Sequence, residues 1–164
     1  LITYKYGPRV RLAKVYTELD FIEYDKPKTY GVYEFCKKCK RCAEACPSGA
    51  ISFDDEPSFE PTHENKDNAY WNAKGTKKWY LDAKKCFGYW SQIGADCANC
   101  IASCPYNKPD FWHHKLITKI SAGAPGPVHS LMTEMDKAFC YGNVNDKEAV
   151  DKFYDPKGKN YDGY

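Results

Sequence analysis

The chain has 164 residues, of which 43% are hydrophobic and 28% charged, with a net charge of +2. That composition fits one globular domain, or a small domain with long extensions, and excludes a disordered chain. The charge is too near neutral to argue for a nucleic-acid or anionic-membrane surface, and no apolar run approaches the roughly 20 residues of a membrane helix.

The opening, LITYKYGPRV, shows no initiating Met, no twin arginine and no apolar signal core, and reads as the middle of a longer polypeptide. Residues 9–22, RVRLAKVYTELDFI, are rich in β-branched and aromatic side chains and predict one or two strands. DKPKTYG is a turn-rich connector, and VYEF leads into a first group of cysteines at 36, 39, 42 and 46. Residues 54–76 are polar, with two Pro and one Gly; a loop of that length in a compact domain is functional or wraps a partner surface. A second group of cysteines follows at 86, 97, 100 and 104. Beyond it, Pro109 and Asp110 suit a first helical turn, Trp112, Leu116, Ile117 and Ile120 recur at helical spacing, and Gly123 and Pro125 end the element. GAPGPVH is a rigid loop. Ser130 is placed to cap a helix with Leu131, Met135, Ala138 and Phe139 on one face, and Asp146 to cap a last short helix bearing Ala149, Val150 and Phe153. DPKGKNYDGY reads as a surface tail.

Nine cysteines is an odd number, which with their grouping argues against a closed disulfide set. Each group of four ends in Cys-Pro: Cys46-Pro47 and Cys104-Pro105. A cubane iron–sulfur cluster takes four thiolates, one per iron. Two-residue spacers let Cys36, Cys39 and Cys42 wrap one face of a cube, whereas Cys46 lies about one helical turn beyond Cys42 and out of its reach. In two-cluster ferredoxins the fourth Cys of such a run ligates the other cluster, and the Pro turns the chain away. The spacing therefore predicts two [4Fe-4S] clusters, one held by Cys36, Cys39, Cys42 and Cys104, the other by Cys46, Cys86, Cys97 and Cys100. Ala, Gly and Ser around the ligands leave room for backbone N–H groups to approach the sulfides. Zinc, the plainer reading of C-x2-C pairs, leaves the third Cys of the first run and both Cys-Pro endings unexplained.

Other residues carry less. Cys140, beside Phe139 and apart from any partner Cys, reads as a small buried hydrophobe rather than a ligand or redox sensor. Lys37, Lys38, Lys40, Arg41, Lys84 and Lys85 read as a solvated face in preference to a docking patch for an acidic electron donor. His113 and His114 read as surface or packing residues rather than metal ligands.

The segments YGPRVRLAKVYTELDF, DKPKTYGVYEFCKKCKRCAEACPSGAI and KKWYLDAKKCFGYWSQIGADCANCIASCPYNKPDFWHH resemble the C-terminal part of corrinoid-dependent reductive dehalogenases, over about residues 1 to 135. The long spacer between Cys86 and Cys97, absent from a minimal bacterial ferredoxin, is the most specific element of the likeness. The resemblance implies an α+β fold: a bacterial two-[4Fe-4S] ferredoxin-like domain over 31–121 with an insert at 54–85, preceded by the end of a cobalamin-binding, nitroreductase-like core (1–30) and followed by a helical extension and tail (122–164). It implies a halogenated organic substrate, cobalamin in the full-length protein, an electron donor protein or quinol-linked donor, and a small membrane anchor protein at the outer face of the cytoplasmic membrane, with no nucleic acid. The main proton donor is expected upstream of this chain. Arg9 is then placed to face corrinoid or substrate or to form a structural ion pair, and Trp79 and Tyr80 to wall an apolar pocket or to pack the core. Two other assignments remain open: a stand-alone two-cluster carrier, and an epoxyqueuosine reductase-like enzyme, which the near-neutral charge disfavours.

Overall fold

In the computed structural model the described residues are 1–26, 30–62, 71–109 and 111–139. Cys140, the helix expected after Asp146 and the tail lie outside them, as do Asp110 and parts of the connector and of the polar stretch. Six helices follow in chain order: α1 Val32–Cys39, α2 Arg41–Glu44, α3 Ala83–Ile93, α4 Asn99–Ala102, α5 Trp112–Ala122 and α6 Gly126–Ala138. Among the described residues no helix is long and apolar enough to cross a membrane.

The strand half of the expected α+β fold is reduced, among the described residues, to isolated antiparallel bridges at Thr3–Gly7, Ile51–Leu81 and Ser58–Lys78. The strands expected over 9–22 do not form. That segment has no regular structure, and Leu12, Val15, Tyr16, Leu19 and Ile22 all project outward. β-propensity describes side chains that fit a half-buried pleated surface; without a pairing edge and a covering face it makes no strand.

The helices bearing the cysteines are short because specific residues stop them. Lys40 adopts φ 50°, in the left-handed region that a side chain disfavours, and so separates α1 from α2 between Cys39 and Cys42. Its ammonium is held by the carboxylate of Asp55 and the carbonyl of Phe53. Helix α3, which carries Cys86, starts at Asp82, whose carboxylate accepts the N–H of Lys85 at 3.1 Å, and ends at Gly94 with φ 67°. The N–H of Asp82 donates to the carbonyl of Ala50 at 2.8 Å, which pins the start of α3 to the segment after the first cysteine group.

The two cysteine groups fold as matched halves. Helices α2 and α4 pack together. After each, the N–H of the Cys-Pro cysteine donates back into the helix, Cys46 to Ala43 and Cys104 to Ile101, both at 3.3 Å. The cysteine carbonyl then accepts the N–H three residues on, from Gly49 at 3.1 Å and from Asn107 at 2.8 Å. The hydroxyl of Ser103, 1% exposed, donates across the halves to the carbonyl of Arg41 at 3.4 Å.

Helix α6 packs on α1. It starts at Gly126 after Pro125, with Pro127 in its first turn, so Ser130 lies inside the helix instead of capping it. Helices α5 and α6 both turn their apolar stripe outward. Trp112, Leu116, Ile117 and Ile120 on α5 face outward, as do Leu131, Met135 and Phe139 on α6; the residues buried are Ser121 on α5 and His129, Thr133 and Asp136 on α6. The reason lies in what α6 meets: Arg41 and Lys108 both pair with Asp136, and a buried cation requires a polar partner.

Two glycines set close backbone approaches. A Cβ on Gly7 (φ 58°) would stand 2.1 Å from the carbonyl oxygen of Tyr106, and one on Gly31 (φ 79°) 2.5 Å from the backbone of Ala122. Gly31→Ala therefore combines left-handed strain with a backbone clash and is expected to cost more than about 2 kcal/mol. Chemical denaturation of the variant against wild type checks this, and an unchanged midpoint would contradict the close approach of α1 to α5.

Candidate metal centre

Six of the eight described cysteines lie around a shared interior. A cavity of about 450 Å³ is lined by Cys46, Cys86, Cys97 and Cys100 together with Cys36 and Cys42. Its walls are Trp79, Tyr80, Leu81, Tyr89 and Trp90, with Pro47 and Ile51 beside Cys46. Small buried residues, Ala43, Ala45 and Ala50, flank the first group, and Tyr89 and Ile93 on α3 pack against Ala95 and Cys97.

Thiols of the two groups lie near one another. Cys36 lies within electrostatic reach of Cys104, Cys39 and Cys42, and Cys104 of Cys39 and Cys42. Cys86 is close to Cys46 and Cys97, and Cys100 to Cys42, Cys46, Cys97 and Cys86. Cys104 thus neighbours Cys39 and Cys42 of the first group, and Cys46 neighbours Cys86 and Cys100 of the second as well as Cys42 of its own.

The chemistry of this donor set suits iron–sulfur clusters. All eight described cysteines are free thiols in two groups of four, soft donors of the kind that iron–sulfur clusters take. Backbone donors already point at the sulfurs: the N–H of Ala50 reaches Cys46 Sγ at 3.3 Å, those of Tyr106 and Asn107 bond the Cys104 thiol, that of Ala43 the Cys42 thiol and that of Arg41 the Cys39 thiol.

The other residues singled out by sequence fall in different places. Tyr80 is 1% exposed; its hydroxyl donates to the carbonyl of Phe59 at 2.8 Å, with the carbonyls of Ala73 and Thr76 at 3.2 and 3.3 Å, so it closes the insert on itself while its ring lines the cavity. Trp79 donates its indole N–H to the carbonyl of Asp54 at 2.9 Å and packs on Tyr33. Arg9 stands apart from that cavity and donates to the carbonyl of Lys108 at 3.0 Å, tying the N-terminal segment to the chain after Cys104. His113 and His114 lie beside each other and Phe111 on α5. The basic run is not one solvated face: Lys37 pairs with Glu56 at 2.8 Å, Lys40 with Asp55, and Arg41 is buried with its Nε 3.7 Å from Asp136. Four residues that sequence reading passed over also shape the centre: Asp82, Ser103, Thr133 and Asp136. The Asp-Ala-Lys-Lys start of α3 carries a cap signal for Asp82, and His129, Thr133 and Asp136 share a helical stripe; nothing in the sequence marks that stripe as the inward one.

Burial, more than mutual repulsion, pushes the thiols up: Cys36 and Cys104 to about 12, Cys39 and Cys100 to about 11, with Cys42 and Cys86 also raised. The cluster-free fold therefore holds thiol protons that the unfolded chain releases first. This contribution to stability is complete below the ordinary thiol pKa of 9.0 and is lost as pH rises toward about 12. Cluster-free protein kept reduced is expected to lose stability above about pH 9 at ~1 kcal/mol or more per pH unit, whereas thiolates bound to iron hold no proton and remove the effect. Denaturation midpoints of both forms across that range check this; equal slopes would contradict it.

A profile of the 4Fe-4S dicluster domain matches residues 35–108. The chain is 41% identical over 157 residues to a tetrachloroethene reductive dehalogenase of Dehalobacter restrictus, covering 94% of this chain and 27% of that protein. It is 36% identical over 160 residues to a tetrachloroethene reductive dehalogenase of Sulfurospirillum multivorans, covering 98% of this chain and 30% of that protein. A solved reductive dehalogenase structure, described as suggesting a mechanism for B12-dependent dehalogenation, superposes with a TM-score of 0.60 at 28% identity, covering 76% of this chain and 16% of that chain. The chain thus spans under a third of the length of these curated relatives, and over that span it belongs to the reductive dehalogenase family, matching its C-terminal, iron–sulfur part.

Proposed function

We propose that this chain is the electron-delivery part of a corrinoid-dependent reductive dehalogenase of organohalide respiration. Cys36, Cys39, Cys42 and Cys104 hold one [4Fe-4S] cluster, and Cys46, Cys86, Cys97 and Cys100 the other. The observation that supports this reading is that Cys104 neighbours Cys36, Cys39 and Cys42 while Cys46 neighbours Cys86 and Cys100. Carbon–halogen is replaced by carbon–hydrogen, taking up two electrons and a proton and releasing halide. When bound, the clusters supply one-electron transfer, and the corrinoid, held by the rest of the protein, supplies the carbon–halogen chemistry.

The chain's own residues position and insulate. The two halves fix the distance between the clusters through the α2–α4 contact and the Ser103–Arg41 hydrogen bond. Trp79, Tyr80, Tyr89 and Trp90 keep water from one side of the cavity. Residues 1–30 form the edge of the corrinoid-binding core, 31–121 the cluster domain and 122–164 its extension. The outward apolar side chains of 9–24, α5 and α6 are the surface that packs on that core, since apolar exposure on this scale marks an interface. Arg9 is then a strut between core edge and cluster domain, with Trp79 and Tyr80 as the wall between the cluster cavity and the insert. The relatives' names favour a chlorinated alkene as substrate. Family likeness supports reduction by a donor protein or quinol-linked donor, and a small membrane anchor at the outer face of the cytoplasmic membrane.

Iron, acid-labile sulfide and cobalt on the anaerobically purified full-length protein test the reading: about eight irons and one cobalt are expected. Cys104→Ser is expected to perturb only the cluster nearer α1, and Cys46→Ser only the other, as seen by electron paramagnetic resonance. Eight irons without cobalt would leave a stand-alone carrier, and zinc in place of iron would sink both readings.

A further inference from the structure

We infer that helix α6, which lies outside the segment matched by the dicluster profile, sets the reduction potential of the cluster on Cys36, Cys39, Cys42 and Cys104 through the hydroxyl of Thr133 and the carboxylate of Asp136. The inference rests on the ligand set proposed above.

Thr133 is buried against α1. Its hydroxyl lies 2.9 Å from the carbonyl of His129, one turn back on the helix, and within hydrogen-bonding reach of the Cys39 sulfur. A hydroxyl has one proton to give. Beside a neutral thiol it serves the helix carbonyl, the ordinary habit of a mid-helix threonine. A ligand sulfur carrying charge is a stronger acceptor and draws that proton toward itself. The helix is held in register for this contact by His129, whose Nε2 lies 3.0 Å from the carbonyl of Ser121 and whose ring packs edge-on against Phe35, the residue before Cys36.

Asp136 lies on the same inward stripe, 7% exposed, with its two carboxylate oxygens toward Lys108 and Arg41. Arg41 is 3% exposed and sits between Cys39 and Cys42 in sequence; Lys108 follows Cys104 by four residues. Glu44, at the rim, pairs with Lys137 at 3.4 Å and also stands 4.0 Å from Arg41. Arg41, Lys108 and Asp136 therefore place two cations and one inward carboxylate beside the same ligands, with Glu44 at their edge. Cluster potentials respond to net charge, hydrogen bonds to sulfur and exposure. Because reduction adds negative charge, the Thr133 donor favours the reduced cluster, and Asp136 holds back the full effect of the two cations.

The test is a redox titration of the cluster-loaded full-length protein followed by electron paramagnetic resonance, with iron counted in every variant. The signal altered in Cys104→Ser identifies the cluster concerned. Thr133→Val is expected to keep its iron and to shift that one potential in the negative direction, with the other cluster unmoved; Thr133→Ser, which restores the hydroxyl, is expected to return it. Asp136→Asn is expected to shift the same potential in the positive direction. Should Asp136→Asn lose its cluster by misfolding, the Thr133→Val and Thr133→Ser pair still decides. Full iron with neither potential moved by Thr133→Val, or with both moved alike, would overturn the inference while leaving the ligand set intact. Loss of both signals, or of neither, in Cys104→Ser would overturn the ligand set and the inference with it.

Discussion

Eight largely sheltered cysteines, six of them lining one cavity, are the constraint from which the rest of this structure follows. A thiol buried away from water resists ionisation, and a group of them gains little by packing on one another. The chain meets this by keeping the surroundings small where the backbone must come close, and aromatic where water must be kept out. Ala43, Ala45 and Ala50 take the first role, Tyr80 and Tyr89 the second. Among the described residues the buried apolar set is modest, so the cysteine-lined interior stands where a hydrophobic core ordinarily would.

That constraint also explains why each helix near the centre is short. A continuous helix through residues 32–46 would spiral its cysteines around an axis; the left-handed turn at Lys40 interrupts it. The conformation is costly for a lysine, and it persists because Asp55 and the carbonyl of Phe53 hold the ammonium from the far side. In the second half the same task falls to Asp82 and Gly94, which bracket α3 and leave Cys97 to approach from a separate loop. Two chemically different devices thus produce halves with matched hydrogen bonds at their Cys-Pro turns.

The polar interior has a further consequence at the C-terminal end. Arg41 belongs to a basic run that reads as solvated surface, yet α1 and α2 carry it inside, where it meets Asp136 of α6. Once one cation is buried, the helix that covers it must turn its polar stripe inward, and its leucine, methionine and phenylalanine outward. Helix α6 therefore covers the cysteine-bearing helix α1 with its polar stripe, and its apolar back is left facing away from it.

The spacing of the cysteines by itself determined that two groups of four exist and that each ends in a turn at proline, because ligand spacing is a local property of the chain. Helical periodicity likewise located α5 and α6. The sequence did not decide which face of those helices is buried, since amphipathic spacing names a stripe and the neighbours choose its direction: here Arg41 and Lys108, brought in from far along the chain. Nor did it decide that residues 9–22 would lack strand structure, because a strand needs a partner edge that propensity does not encode. Thr133 and Asp136 were invisible for the same reason. A threonine and an aspartate on a helix are unremarkable until the tertiary structure sets them against Cys39 and a buried arginine, where low dielectric gives one hydroxyl and one carboxylate an influence they lack in water.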